Sequence, residues 1–443
     1  MNEVAVVICN YNKRDYVINC IESIFKSSFN SFDLIVVDNA SNDGSAEAIR
    51  KRFGDRLTLI ENKINTGGAG GFRLGMQFAM DKNYRYIMLS DNDIVVDKNA
   101  VGELYNFMEE HPKAGACGST IYFMNDPECI LEMGAKVDYY ELGIHGFFNN
   151  ERNIQLPYAL ECEYVAACSA MYRCDVLRES GLMDEEFFIY FDDIDLSIRI
   201  RKAGYKIYAI SASKVWHSMI PPSNPTTIGH YYFFRNKLYV FAKWIDDEDF
   251  SRLAQMLTVR LARISFLERD RREIIDTYNR ALNDLFAHKR GKAEEGIIVG
   301  FDPATDKFKK MFEGKKKIAI NCHRKCGLDY VIRQIKRFCD AEITIVTHNL
   351  KVEIIPGINY VIGLKSRVGF DLVVNLCYHV LDIPDYDRDA VYIDRYFNYL
   401  LDDEDYDYVG NFDEYGSKYF DLNYPRIKTG LDELRKSLRG KNV

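Results

Sequence analysis

The strongest constraint on what this chain can fold into is the way its first hundred residues alternate between two periodicities. "VAVVIC" (4–9), "FDLIVVDNAS" (32–41), "LTLIEN" (57–62) and "YRYIMLSDND" (84–93) are short runs rich in β-branched and aliphatic residues. Between them, "RDYVINCIESIFKS" (14–27) and "SAEAIRKRFG" (45–54) carry apolar residues at helical spacing, the second closed by glycine. Strands of this length separated by single helices predict βαβ units and a parallel sheet. In open sheets of that kind, ligands bind beyond the carboxyl ends of the strands. Three of the predicted strands end there in polar groups: Asn10, Asp38 and the pair Asp91–Asp93.

Residues 99–240 are mixed, with strands predicted near 115–123, 129–140 and 163–173 and a helix over 193–203 ending at Gly204. From 247 to 290 the pattern is helical and rich in arginine. Leu253, Leu257, Leu261 and Ile264 form one stripe beside Arg252, Arg260 and Arg263. That stripe fits packing on the rest of the protein, on a second subunit of a homo-oligomer, or on an anionic membrane surface, which periodicity does not separate. The charged stretch "AHKRGKAEEG" (287–296) reads as a connector. After "EGKKK" (313–317) a second α/β pattern begins: "IAINC", a helix over 328–338, "EITIVTH", "NYVIG", "DLVVNLC" and "AVYID". It predicts a smaller Rossmann-like module with no glycine fingerprint after its first strand. The expected division is therefore a first domain over 1–245, a helical connector over 246–312 and a C-terminal α/β module over 313–443.

Bulk properties narrow the function. A net charge of −8 without a strongly basic domain points away from nucleic acid as a partner. No run reaches the roughly 18 apolar residues of a membrane span. The N-terminus enters a strand without a leader-like pattern, and the 11 cysteines are scattered, mostly in apolar runs. They read as reduced core thiols of a cytoplasmic protein. "CHRKC" (322–326) lacks a second cysteine pair at zinc-site spacing.

Three stretches carry chemistry. In "MLSDNDIVV" (88–96), two carboxylates end an apolar run. Taken alone they read as a solvated turn; buried, they would need a partner or a metal. "NTGGAGGFRLGM" (65–76) reads as a glycine-rich turn leading into a helix, able to approach a ligand closely and offer N–H groups to phosphate. In "DEEFFIYFDDIDLSIRIRKAGYK" (184–206), Asp192, Asp193 and Asp195 stand at a helix start. The helix dipole favours carboxylates there, and one of them is equally a candidate general base. His217 in "KVWHSM" (214–219) is either a structural histidine or the completion of a metal site with the earlier pair.

In their order, these pieces resemble the family 2 glycosyltransferases, which have the GT-A fold. "VVICNYNKRDYVINCIESI" resembles the family's opening strand and helix, and "LIVVDNASNDGS" its second strand. "LSDNDI" occupies the D-x-D position. "FFIYFDDIDLSIRIRKAGYKI" resembles the F-x-Y-x-E-D-x-D segment of rhamnosyl- and galactofuranosyltransferases, and "VWHS" with "HYYFFRNKLYV" (230–240) resembles the W-H and Y-Y-x-x-R-N elements. The resemblance covers residues 1–240, just over half the chain. It implies that Asp38 contacts a nucleotide base, with Asn10 and Tyr11 lining the same pocket. Asn65, Gly67, Gly68, Gly71, Arg73 and Arg235 would meet the rest of the donor, Arg235 at its pyrophosphate. Asp91, Asp93 and His217 would hold Mn²⁺ or Mg²⁺, Asp193 would be the catalytic base and Asp192 its neighbour. Position 192 departs from the family, which usually has Glu there. The implied reaction is inverting transfer of a sugar from a nucleotide donor to a glycan or lipid-linked glycan, in bacterial surface polysaccharide synthesis at the inner face of the membrane. The glycine content of 65–76 and the D-x-D with W-H pairing resemble the galactofuranosyltransferase branch, making UDP-galactofuranose the favoured donor and dTDP-rhamnose the alternative. A sugar nucleotidylyltransferase would want a glycine- and arginine-rich loop where this chain has "CNYNKRDY". A non-catalytic scaffold would have no need to retain Asp38, Asp91, Asp93, Asp193 and His217. In the C-terminal module, "YDYVGNFDEYGSKYF…YPRIKTG" faintly resembles one half of the CDP-glycerol glycerophosphotransferase type; an oligomerisation or partner-binding role fits that module equally well.

Overall fold

The computed structural model describes residues 2–218, 225–322, 328–347, 355, 357–363, 369–377, 379–383, 390–394 and 397–440. The chain forms two compact units that interleave in sequence. The first comprises Met1–Ile220, Tyr231–Asp249 and Ala281–Ile297, and the second Pro221–His230, Phe250–Arg280 and Ile298–Val443. The segment 246–312 is thus divided between the two units and does not form a third.

The first unit opens with β1 (Val4–Asn10), α1 (Arg14–Phe25), β2 (Phe32–Asp38), α2 (Ser45–Phe53), β3 (Thr58–Glu61), α3 (Gly67–Asp81) and β4 (Tyr86–Asp91). It continues through β5 (Ile94–Val96), α4 (Ala100–Glu110), β6 (Ala114–Phe123), β7 (Asp126–Glu132), β8 (Ala135–Asp138), β9 (Gly143–Gly146), β10 (Ala159–Cys162), β11 (Ser169–Arg173), α5 (Cys174–Ser180), α6 (Asp192–Lys202) and β12 (Lys206–His217). One mixed sheet runs β10-β12-β6-β11-β4-β1-β2-β3, with β5 paired to β12 and β7 to β6. Strands β3, β2, β1 and β4 are mutually parallel, and β11 adds to β4 in the antiparallel sense. The side-chain alternation of β1 explains its central place. Val4, Val6 and Ile8 point into one core with Val17, Cys20, Ile21 and Ile24 of α1, while Ala5 and Val7 point into the other with Phe72, Met76 and Ala79 of α3. A strand covered on both faces must be apolar throughout, as this one is until Asn10.

The glycine-rich stretch differs from its expected turn. The helix α3 begins at Gly67 and takes the glycines into its own body. A Cβ on Gly71 would lie 2.2 Å from Cys9 Sγ, and one on Gly75 would lie 2.3 Å from Val7 Cγ1. Glycine is a poor helix former, but here the absence of side chains lets the helix backbone rest directly on β1.

Along the chain follow α7 (Ile228–Trp244), α8 (Asp247–Leu267) and α9 (Arg272–Phe286). The stripe Leu253, Leu257 and Leu261 is buried, with Ile264 half-buried, so this face is packing surface. Among the described residues no helix is long and apolar enough to cross a membrane. The second unit adds α10 (Asp306–Phe312), β13 (Lys317–Cys322), α11 (Leu328–Lys336), β14 (Glu342–Thr347), β15 (Asn359–Ile362), β16 (Leu372–Cys377), β17 (Val391–Asp394), β18 (Tyr399–Leu400), α12 (Asp403–Gly410) and α13 (Phe412–Gly440). Its sheet order, β15-β14-β13-β16-β17-β18, is parallel except for β18 and has the doubly wound arrangement expected of a Rossmann-like module. The "YDYVGNFDEYGSKYF" stretch forms α12 and the start of α13, with Phe266 stacked on Tyr408 at 4.1 Å. Cys9, Cys20, Cys117, Cys162, Cys168, Cys174 and Cys339 are free thiols; the "CHRKC" stretch beyond Cys322 lies outside the described residues.

Candidate active site

The parallel strands reverse their order between β1 and β4, and a doubly wound sheet opens its ligand crevice at the carboxyl ends of such a pair. Register sets the residues there. Asn10 pairs with Asp38, and Cys9 with Asp91. Asn92 and Asp93 form the two-residue turn from β4 into β5, and β5 pairs antiparallel with the end of β12, setting His217 opposite Ile94. The Ser218 N–H donates to the Asp93 carbonyl at 3.1 Å, closing this corner.

The result is a three-residue cluster. His217 Nε2 lies 3.1 Å from Asp93 Oδ1 and 3.7 Å from Asp91 Oδ2. One ligand atom from each of Asp91, Asp93 and His217 falls within 4.8 Å of the others. Two carboxylates and an imidazole form a mainly hard donor set that fits Mn²⁺ or Mg²⁺. Lys13 was absent from the sequence reading, yet its Nζ sits 2.5 Å from Asp93 Oδ2. Burial pushes the Asp93 carboxyl up, but the His217 hydrogen bond and charge and the Lys13 ammonium outweigh it and hold the group down at about 2. Asp91 goes the other way. Burial first, and the Asp93 charge against the relief from His217, push it up to about 6, although a third of its side-chain surface still meets solvent. His217 is lowered by burial and raised more by Asp93 and Asp91, for a net rise.

Asn92 joins this cluster to the ends of β1 and β2, donating to Asn10 Oδ1 at 2.8 Å. Asn10 donates in turn to Asp38 Oδ1 at 3.0 Å, and Asp38 Oδ2 accepts from the Ser41 N–H at 3.0 Å. Asp38 is thus a buried anchor of the strand ends, with Tyr11 exposed beside Asn10. Asn39, a residue that sequence reasoning missed, organises the next loop. It donates to Asn65 Oδ1 at 3.1 Å and to the Gly67 carbonyl at 2.8 Å, and it accepts from Asn62 and Thr66.

The glycine-loop residues mostly meet protein groups. Gly67 has φ of 77°, and a Cβ there would fall 2.0 Å from the Phe188 carbonyl oxygen, so protein already fills the approach. Its N–H goes to Asn65 Oδ1, and the Ala69 N–H goes to the Phe188 carbonyl. Gly71 faces Cys9, and Arg73 donates to the Met183 carbonyl at 3.0 Å. Of the three glycines in the expected set, only Gly68 has open space where a Cβ would stand. Arg235 is likewise committed to the protein. It is buried, donates to Asn236 and to the Gly291 carbonyl, and lies over the rings of Tyr231 and Tyr232. The structure does not bring it to the acidic cluster.

At the start of α6 the three aspartates separate by role. Asp195 is fully buried and accepts from Arg199, Lys243 and Trp244, a structural hub between α6 and α7. Burial first, then the Asp193 charge, pushes Asp192 well above the usual carboxylate range. Asp193 is also raised by burial, but the Ala167 and Ile194 N–H groups and the Tyr164 hydroxyl pull against it at 3.1, 2.9 and 3.3 Å. Near it, Glu132 is pushed up to about 7 by burial and the Asp193 charge, and its Oε1 is buried without a hydrogen-bond partner among the described residues.

These shifts have a sign that heat denaturation reads. Asp91 and Glu132 bind protons more tightly when folded, so the cost of burying their charge is absent at low pH and grows as pH rises through about 6 and about 7. His217 acts in the same direction, because its raised value lends stability that is lost as pH rises through it. In chelator, the melting temperature is expected to fall by at least ~3 °C between pH 5.5 and 8, the scale of about 1 kcal/mol in a large domain. Excess Mn²⁺ should narrow that gap. A melting temperature that rises with pH in chelator would contradict the assignment.

Comparison with known proteins gives this geometry a family. Residues 5–181 match the family model for glycosyl transferase family 2. The low-salt glycan biosynthesis hexosyltransferase Agl10 of Haloferax volcanii is 22% identical over 275 residues, 58% of this chain and 83% of that protein. The Escherichia coli UDP-Glc:alpha-D-GlcNAc-diphosphoundecaprenol beta-1,3-glucosyltransferase WfaP is 23% identical over 203 residues, 43% of this chain and 78% of that protein. Among solved structures, GalNAc-T7 with UDP, GalNAc and Mn²⁺ aligns with a TM-score of 0.48 at 17% identity, over 65% of this chain and 58% of that one, under two thirds of its length. Residues 5–181 thus form a glycosyl transferase family 2 region, and the first unit that contains them has a GT-A-like mixed α/β sheet.

Proposed function

We propose that the protein is an inverting, divalent-metal-dependent hexosyltransferase that moves a sugar from a nucleoside diphosphate to a hydroxyl of a glycan or lipid-linked glycan. The observation that carries this reading is the convergence of Asp91, Asp93 and His217 within 4.8 Å at the mouth of the β1/β4 crevice. A cation bound there supplies positive charge for the diphosphate that leaves as the sugar–phosphate bond breaks. Asp91 and Asp93 contribute the oxygens, His217 the nitrogen, and Lys13 stands beside them as a fixed positive charge. The Asn92–Asn10–Asp38 chain of hydrogen bonds holds the nucleotide end of the crevice in register with that cluster. Asp193 takes the proton of the acceptor hydroxyl as that oxygen attacks the anomeric carbon from the face opposite the leaving group. Asp192 is held towards its neutral form and is the poorer acceptor of the two. Tyr190 and Phe233, 39% and 45% exposed and 5.9 Å apart, offer the acceptor sugar an apolar rim next to these carboxylates.

The names of two relatives support the acceptor class, since one builds a glycan and the other glucosylates a diphosphoundecaprenol-linked sugar. A lipid-linked acceptor would bring the chain to the inner face of the cell membrane as a peripheral cytoplasmic protein. For the donor, the sequence pattern favours UDP-galactofuranose, with dTDP-rhamnose second. The test is a screen of UDP-galactofuranose, dTDP-rhamnose and UDP-hexopyranoses for hydrolysis and transfer, with Mn²⁺ and with chelator. Turnover of UDP-galactofuranose that needs Mn²⁺ is the expected result. Preference for another donor would reassign the sugar, and full activity in chelator would remove the metal site.

A further inference from the structure

The residues just before the acidic helix start adopt a backbone that their side chains do not favour. Phe188, Tyr190 and Phe191 have φ values of 65°, 67° and 69°. None is glycine, and left-handed backbone at large side chains persists only where the surroundings over-determine it, commonly at functional sites. Here the surroundings are specific. The two N–H groups of the Asn236 amide are shared among three carbonyls of this turn, those of Phe187 at 2.8 Å, Ile189 at 2.8 Å and Tyr190 at 3.0 Å from Nδ2. Asn236 is buried, and its own oxygen accepts from Arg235 Nε at 3.0 Å, which fixes the amide's orientation. On the opposite side, the Phe188 carbonyl accepts from the Ala69 N–H at 3.1 Å and occupies the space that any side chain on Gly67 would need. Gly67 belongs to the loop that Asn39 and Asn65 organise beside the nucleotide end of the crevice. The turn 187–191 is therefore held between that loop and α7, and it ends directly at Asp192 and Asp193.

We propose that Asn236 is a positioning residue for sugar transfer: it locks the 187–191 turn in its left-handed form and so fixes the Asp192–Asp193 helix start against the donor-side loop. The proposal rests on the reading of Asp193 as the base, and Asn236 itself touches neither donor nor acceptor. Without the amide, three carbonyls lose their shared donor and the turn can relax towards ordinary backbone. That relaxation moves the base while leaving the Asp91–Asp93–His217 corner, built on β4, β5 and β12, in place.

The test is Asn236→Ala, with Asn236→Ser, which keeps one hydroxyl donor, as the milder variant should the first fold poorly. Hydrogen exchange followed by mass spectrometry is expected to show amides of 187–193 exchanging roughly tenfold faster, with 86–96 and 206–217 still protected. Mn²⁺ affinity and the donor KM should stay within about twofold, while kcat for transfer falls ~100-fold, the scale of a misplaced catalytic group. The serine variant should fall between. Unchanged exchange over 187–193, or faster exchange with unchanged kcat, would overturn the proposal. So would a loss of protection throughout the first unit with a matching loss of Mn²⁺ binding, which would make Asn236 a general stability residue. Failure of the underlying reading is separate: wild-type transfer by Asp193→Asn would remove the base, and the exchange result at 187–193 would still decide the clamp.

Discussion

Asp93→Ala is expected to lower transfer by about 10³-fold and to weaken Mn²⁺ binding in parallel, a loss of about 4 kcal/mol at 1.36 kcal/mol per decade. Asp93 is the member of the acidic cluster that stays ionised. His217 and Lys13 hold its carboxyl down at about 2 against the burial that would raise it. Asp91, at about 6, is partly protonated in mildly acidic solution and is the weaker ligand there. Removing the Asp93 carboxylate also leaves the Lys13 ammonium facing the crevice without its 2.5 Å partner, which adds repulsion towards any cation. The effect should therefore exceed that of Asp91→Ala at pH 6 and approach it at pH 8. Mn²⁺ titration beside steady-state kinetics checks both statements. A variant at position 93 that binds Mn²⁺ as the parent does would show that the cluster is not the metal site.

Asp193→Asn is expected to reduce kcat for transfer by ~10³-fold, within the range of a lost general base, while donor and Mn²⁺ binding remain. The substitution keeps the size of the side chain, so the helix start should persist. What changes is the proton inventory. Asp193 accepts from the Tyr164 hydroxyl and from two backbone N–H groups, and an amide NH₂ placed on either side would face one of those donors. Burial raises the carboxyl while these donors restrain the rise. Asp192→Asn is the control. With its carboxyl already favoured in the neutral form, its loss should cost less than the loss of Asp193. Robust transfer by Asp193→Asn would exclude that carboxylate as base.

Much of the first unit was legible because its strands and helices are short, regular and buried on predictable faces. The strands β1 to β4 and the helices α1, α2 and α6 lie within a few residues of where the side-chain period puts them, and β1 to β4 form the parallel set it predicts. Other features were misread for a physical reason. The glycines of 65–76 look like a turn because glycine weakens helices, yet the contact with Cys9 and Val7 requires a helix face without side chains. Arg235 looks like an anion contact because it is a charged residue in a motif, yet two tyrosine rings and backbone acceptors bury it.

The chain by itself determined which groups exist for chemistry: two carboxylates at the end of a strand, a further pair at a helix start and a histidine at the end of a long strand. Local pattern carries that information, because solvation and periodicity act on neighbours in sequence. Only the tertiary structure decided which of them meet. His217 and Asp93 are 124 residues apart and touch because β5 pairs with β12. Lys13 reaches Asp93 across 80 residues, Asn92 reaches Asn10 across 82, and Asn236 gathers three carbonyls of a turn that no periodicity announces. Those contacts depend on strand register and on backbone forced into left-handed angles, and neither leaves a mark on the local hydrophobic pattern.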